Sequence, residues 1–129
     1  MTGVGGQGVE FDSPSGNIHC GIYVDPLKWG CSITEYSYVD PEPTGDLIAC
    51  SEMISYGHGF WSRDGGPVTV MCRGGAEFGG EMGAVGVLPY GTSLAYNGVM
   101  CESADTGMTC RDVMTGAGFV VARNAYTLY

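Results

Sequence analysis

The stretch YGHGFWSRDGG sets His58, Ser62 and Asp64 close together in the chain. These are the residue types of a nucleophilic relay. An imidazole takes the hydroxyl proton of a serine and a carboxylate orients the ring. A Gly-rich loop with an aromatic anchor, Trp61, and a surface ion pair between Arg63 and Asp64 has the same composition. No recognised catalytic frame surrounds the cluster. No catalytic residue is assigned, and an enzyme using His58 stands as an alternative reading.

Sulfur is the second candidate chemistry. Cys20, Cys31, Cys50, Cys72, Cys101 and Cys110 stand singly, with no C-x-x-C pair. Zinc ribbons and redox motifs use such close pairs, so the set reads as three disulfides. Cys20 and Cys31 flank the turn DPLKWG, and Cys101 and Cys110 flank ADTG. Facing residues of antiparallel strands have Cα atoms about 4.5 or 5.5 Å apart, within reach of a disulfide. The expected pairs are Cys101 with Cys110, Cys20 with Cys31 and, by elimination, Cys50 with Cys72. Closing a loop of about ten residues removes about 2.7 kcal/mol of unfolded-state entropy in the chain-entropy model. With the cysteines paired, zinc would need His19, His58 and carboxylates brought together. Calcium would need Glu102, Asp105 and Asp112, whose loop lacks the D-x-D-x-D pattern. No metal and no cofactor are expected.

Binding is the third possibility. The stretch WGCSITEYSYVDPEP carries Trp29, Tyr36 and Tyr38 beside Asp40 and Glu42. Aromatic rings with carboxylates stack on sugar faces or anchor protein interfaces. Core packing is the competing role for Trp29 and one of the tyrosines. Pro41 and Pro43 remove ladder donors, which favours exposure of residues 39–45.

Composition narrows the partners. The chain has 129 residues, enough for one domain, and carries 5 Lys and Arg against 14 Asp and Glu, a formal charge of −9. Nucleic acid is disfavoured, because phosphate contacts need a basic face. A cationic face on a protein partner is the complementary chemistry. No apolar run approaches the roughly 18 residues of a membrane span, so no membrane insertion is expected. The opening MTGVGGQGVE lacks the basic and apolar regions of a signal peptide, which fits the mature form of an exported chain.

The elements that must position these residues read as strands. Residues 1–9 are Gly-rich and read as a flexible arm before a single domain over 10–129. A strand pattern starts near Phe11. SPSG is a turn with Pro14 at its second position. In NIHCGIYV, Ile18, Cys20 and Ile22 alternate with His19 and Tyr23. PVTVMCR, with Val68, Val70 and Cys72 on one face, reads as a further strand, whereas LIACSEMI fits helix or strand. Short strands with turns at NG, ADTG and TGAG follow from Ser93 onward. The fold expected is all-β, a small sandwich or barrel of short antiparallel strands.

The segments FDSPSGNIHC, LPYGTSL, CESADTGMTC and TGAGFVVARNAYTLY together resemble an uncharacterised family of small secreted Cys-rich domains from mycobacteria and related actinobacteria. The resemblance rests on Phe11, Pro14, Ser15, Gly16, Asn17, Ile18 and Cys20. In the closing half it rests on Leu88, Tyr90, Gly91, Cys101, Ser103, Gly107, Cys110, Thr115, Gly116, Gly118 and Phe119. Residues 32–66 contribute little. The family often has histidine between the last two glycines, where this chain has Ala117. The resemblance implies export and a disulfide-bonded β domain. The expected function is non-catalytic binding of an extracellular protein or cell-envelope component, with inhibition of a basic extracellular hydrolase as a further alternative.

Overall fold

The computed structural model describes residues 2–3, 8–24, 27–39, 58–71 and 86–129. Cys50, Cys72, Asp40, Glu42, and the stretch LIACSEMI lie outside them, so the third expected disulfide is not described.

The turn chemistry creates the first hairpin. Gly16 donates its N–H to the carbonyl of Ser13 at 2.9 Å. This closes a four-residue turn with Pro14 second and Gly16 last, at a φ of 76°. Strands β2 (Gly8–Asp12) and β3 (Ile18–Tyr23) emerge from it, with Phe11 opposite Cys20 and Asp12 opposite His19. Strand β4 (Lys28–Ile33) returns along β3 with Cys31 opposite Cys20. Strands β5 (Gly59–Arg63) and β6 (Thr69–Val70) extend the sheet. On the far edge of β2, β1 (Thr2–Gly3) pairs antiparallel at Val9 and Glu10, and β7 (Gly86–Val87) pairs parallel at Phe11 and Asp12.

The second sheet is a meander of β8 (Ser93–Tyr96), β9 (Val99–Ala104), β10 (Gly107–Asp112), β11 (Gly118–Val121) and β12 (Tyr126–Leu128). Asn97 and Gly98 both have positive φ, 50° and 80°, as the two-residue hairpin turn from β8 to β9 requires. Ala117 sits after the turn glycine Gly116, with its N–H on the Thr115 hydroxyl and its carbonyl accepting from the Asp112 N–H.

The fold is all-β. Its two sheets share one apolar core, built from Phe11, Ile22, Trp29, Ile33 and Phe60 on one side and Val99, Met108, Phe119 and Val121 on the other. Trp29 stacks on Phe119 at 5.9 Å between ring centroids, and Phe60 lies 6.1 Å from the same ring. Both hairpin disulfides lie in this core, Cys20–Cys31 with Cα atoms 4.0 Å apart and Cys101–Cys110 at 4.1 Å.

Three local expectations change. Strand β2 begins at Gly8 rather than near Phe11, and Thr2–Gly3 pairs with it. Thr2 and Gly3 of the Gly-rich opening therefore contribute strand. Of the described residues of PVTVMCR, 67–71, Thr69 and Val70 form strand. The sequence GFWSR is a central strand between β4 and β6 rather than part of a Gly-rich loop.

Candidate functional site

Strand β5 decides the fate of the His58 cluster. His58 stands just before it, with Nδ1 3.2 Å from the Ile33 carbonyl and the Tyr36 ring edge-on at 5.0 Å. Ser62 lies four residues along an extended strand, about 13 Å away at roughly 3.3 Å per residue. Its buried hydroxyl donates to the Gly66 carbonyl at 2.6 Å. Asp64 sits beyond the strand in a turn, at a φ of 55°. The three groups do not meet as a relay.

A different histidine does hold both an acid and a hydroxyl. His19 Nδ1 lies 2.9 Å from Asp12 Oδ1, and Nε2 lies 3.2 Å from Thr34 Oγ1. With Asp12 ionised, Nδ1 carries the proton and Nε2 accepts from the Thr34 hydroxyl, an assignment made from the network. The order acid, imidazole, hydroxyl is that of a relay. A substrate would also need a cavity beside the hydroxyl, and none of the three residues lines either described cleft. The arrangement fixes the ring on the outer face of its sheet.

The aromatic set is not displayed as a surface. Trp29 is 1% exposed, because strand alternation from Cys31 and Ile33 turns it inward. Tyr38 is 9% exposed and packs against Tyr36 at 4.1 Å, Tyr126 at 5.1 Å and Phe60 at 6.3 Å. Tyr36 is half-buried. This corrects the expectation that Trp29 and Tyr38 offer ring faces to a ligand. The carboxylates expected beside them, Asp40 and Glu42, are outside the described residues. Asp112, considered for calcium, accepts from the N–H groups of Met114 and Thr115 and holds a turn.

An open cleft of about 290 Å³ lies where one end of each sheet meets the other. The β2–β3 turn supplies Ser13, Ser15 and Asn17, and the β9–β10 turn supplies Ala104, Asp105 and Gly107. Glu35, Tyr90 and Arg123 complete its rim. Its volume is at the lower edge of the ~300–1,000 Å³ of small-molecule sites, and its walls mix polar side chains with Ile18, Tyr90, Ala104 and Ala122. Such a shape receives a side chain or two of a partner better than it encloses a free ligand.

Asn17 builds the floor of this cleft. Its carbonyl accepts from Thr34 N–H at 2.9 Å. Its side chain then imitates a strand partner, Nδ2 donating to the Glu35 carbonyl at 2.9 Å and Oδ1 accepting from the Glu35 N–H at 2.8 Å. Glu35 is thereby held across from Arg123, with 3.8 Å between Oε2 and the guanidinium. Asn17→Ala removes both side-chain bonds, each worth about 0.5–1.5 kcal/mol net. A loss of about 1–2 kcal/mol in denaturant unfolding is expected, and Asn17→Asp, which sets a carboxylate oxygen against the Glu35 carbonyl, should lose at least as much.

No family model, curated protein or solved structure matches this chain. What the site can do therefore rests on its own geometry. Among the described residues no helix is long and apolar enough to cross a membrane. The cleft is not legible in the sequence because its residues come from five separate segments. Ser15, Asn17 and Tyr90 nevertheless have no place in the apolar core. Polar motif residues without a packing role were the available signal.

Proposed function

We propose that this is a non-catalytic binding domain of the secreted or envelope-associated class, and that the cleft between the two turns receives basic side chains of an extracellular protein. The observation that carries this reading is the rim itself. Tyr90, 47% exposed, stands at a cleft that also carries Glu35 and Asp105. An aromatic face beside carboxylates suits a Lys or Arg from a partner. The formal charge of −9 would steer such a partner toward the domain. Arg123 already occupies the position of such a guanidinium against Glu35, with both groups mostly exposed and able to exchange partners. Two hairpin disulfides accord with an oxidising compartment. The resemblance to small secreted Cys-rich actinobacterial domains supports the same assignment.

The test compares the parental chain with a Tyr90→Ala/Asp105→Lys variant as immobilised bait for extracellular and envelope proteins. Both positions are exposed, so the melting temperature is expected to stay within the small range typical of surface changes. The captured protein is then titrated by calorimetry. The variant is expected to bind at least about fivefold more weakly, the loss of one interfacial anchor worth over ~1 kcal/mol, and parental binding should weaken steeply with salt. Equal affinity for parent and variant would place the interface elsewhere.

A further inference from the structure

The two disulfides touch. Cys31 Sγ lies 3.7 Å from Cys110 Sγ, so one bridge from each sheet meets the other in the middle of the core. The sulfurs of Cys20, Cys31 and Cys110 all lie within 4.8 Å of one another, and Cys101 is bonded to the last of them. All four residues are 0–1% exposed. No structural need for stability requires this contact, since each bridge closes its own hairpin independently.

We propose that the reduced chain binds one zinc-type divalent ion between its sheets through Cys20, Cys31, Cys101 and Cys110. In a tetrahedral tetrathiolate site with metal–sulfur bonds of about 2.3 Å, neighbouring sulfurs are about 3.8 Å apart. The contact across the sheets already has that spacing. The two bonded pairs must separate, each from a bond to a tetrahedral edge, and Cys101, whose sulfur stands outside the 4.8 Å group, must turn in toward the other three. The facing strands hold their Cα atoms at 4.0 and 4.1 Å, and an ordinary antiparallel pair relaxes to about 4.5 Å. Two ligands from each of two sheets then surround one point, whereas a zinc ribbon achieves this with C-x-x-C pairs. The absence of such pairs in the sequence concealed the site, because register and sheet packing bring the sulfurs together.

The disulfides and the metal are exclusive states of the same sulfurs. Two equivalents of a dithiol supply four electrons and four protons, giving four thiols and two oxidised dithiols. Metal binding releases those four protons, because the thiolate is the ligand. In the reverse direction, two equivalents of a disulfide oxidant take four electrons, restore both bridges and free the ion. The metal would hold the sheets together in a chain whose bridges have not yet formed.

The experiment uses the full chain, reduced with a dithiol that is then removed without air, and titrated with cobalt(II) as the probe. One equivalent is expected to produce the absorption of tetrahedral thiolate cobalt, and zinc to abolish it. Alkylation followed by peptide mass mapping should show Cys20, Cys31, Cys101 and Cys110 protected by zinc. Cys50 and Cys72 should remain reactive. Cys31→Ser/Cys110→Ser should lose the absorption, and Cys50→Ser/Cys72→Ser should keep it. Should either double variant fail to fold, the protection pattern in the parental chain decides. No cobalt absorption in the reduced parent, absorption that survives Cys31→Ser/Cys110→Ser, or protection of a different cysteine set would overturn the proposal.

Discussion

Trp29→Ala is expected to destabilise the domain by about 3–5 kcal/mol, the usual cost of truncating a large buried aromatic. Against a typical total of about 5–15 kcal/mol, this leaves a chain close to unfolding. The reason is the place of the ring. Trp29 is 1% exposed, stacks on Phe119 from the opposite sheet, and shares that contact region with Phe60. Removing the indole leaves a cavity at the contact between layers, where neither sheet can collapse without moving the other. Guanidinium unfolding reads the effect as a lower midpoint at unchanged slope. The same residue as a ligand-stacking surface would give the opposite pattern, a parental midpoint with lost binding. Tyr38→Ala is expected to move the same way by less, since that ring lies nearer the edge of the core.

This contrast shows what was legible. In WGCSI the cysteine had to face its partner, and period-two alternation carries Trp29 and Ile33 to the same side. The inward placement of Trp29 was thus readable from its own strand. The cluster of tyrosines and carboxylates that follows carries the opposite, outward signal. Likewise, the NG turn with its two positive φ values and the ADTG hairpin were readable, because each has a specific backbone requirement. The pairing of Asp12 with His19 follows from the register that sets Phe11 opposite Cys20. It could have been found by extending that register by one residue.

Strand β5 was illegible for a physical reason. Phe60 points into the shared core, while Trp61 packs in a second cluster with Met71 and Tyr23. A strand with apolar residues on both faces has no alternation to detect, and the glycines around it suggest a loop. The cleft was hidden differently, since it depends on two turns from different sheets meeting. Local pattern fixes each turn and leaves their juxtaposition to the packing of the sheets.

Gly30→Val is the other substitution with a large expected effect, because it strikes β4 at the middle of the first sheet. Gly30 faces Gly21 of β3 on one side and Trp61 of β5 on the other. A Cβ at this position would stand 2.7 Å from Trp61 Cα and 2.8 Å from Trp61 Cβ, and closer still to the Phe60 carbonyl oxygen. None of these atoms is the end of a flexible side chain, so the strands themselves must part. Trp61 is 3% exposed and carries Arg63 over its ring at 4.6 Å. Displacing it disturbs that pair and the cluster with Met71 and Tyr23. Overpacking costs about 1–3 kcal/mol where side chains can adjust, and a collision with backbone belongs at or above the upper end. The loss is expected in urea unfolding, with tryptophan emission shifted in the native baseline as Trp61 gains water. Gly30→Ala should already show part of it, since the first added carbon makes the collision. A parental midpoint for Gly30→Val would mean that β4 and β5 do not meet at this pair, and the placement of GFWSR as a central strand would have to be withdrawn.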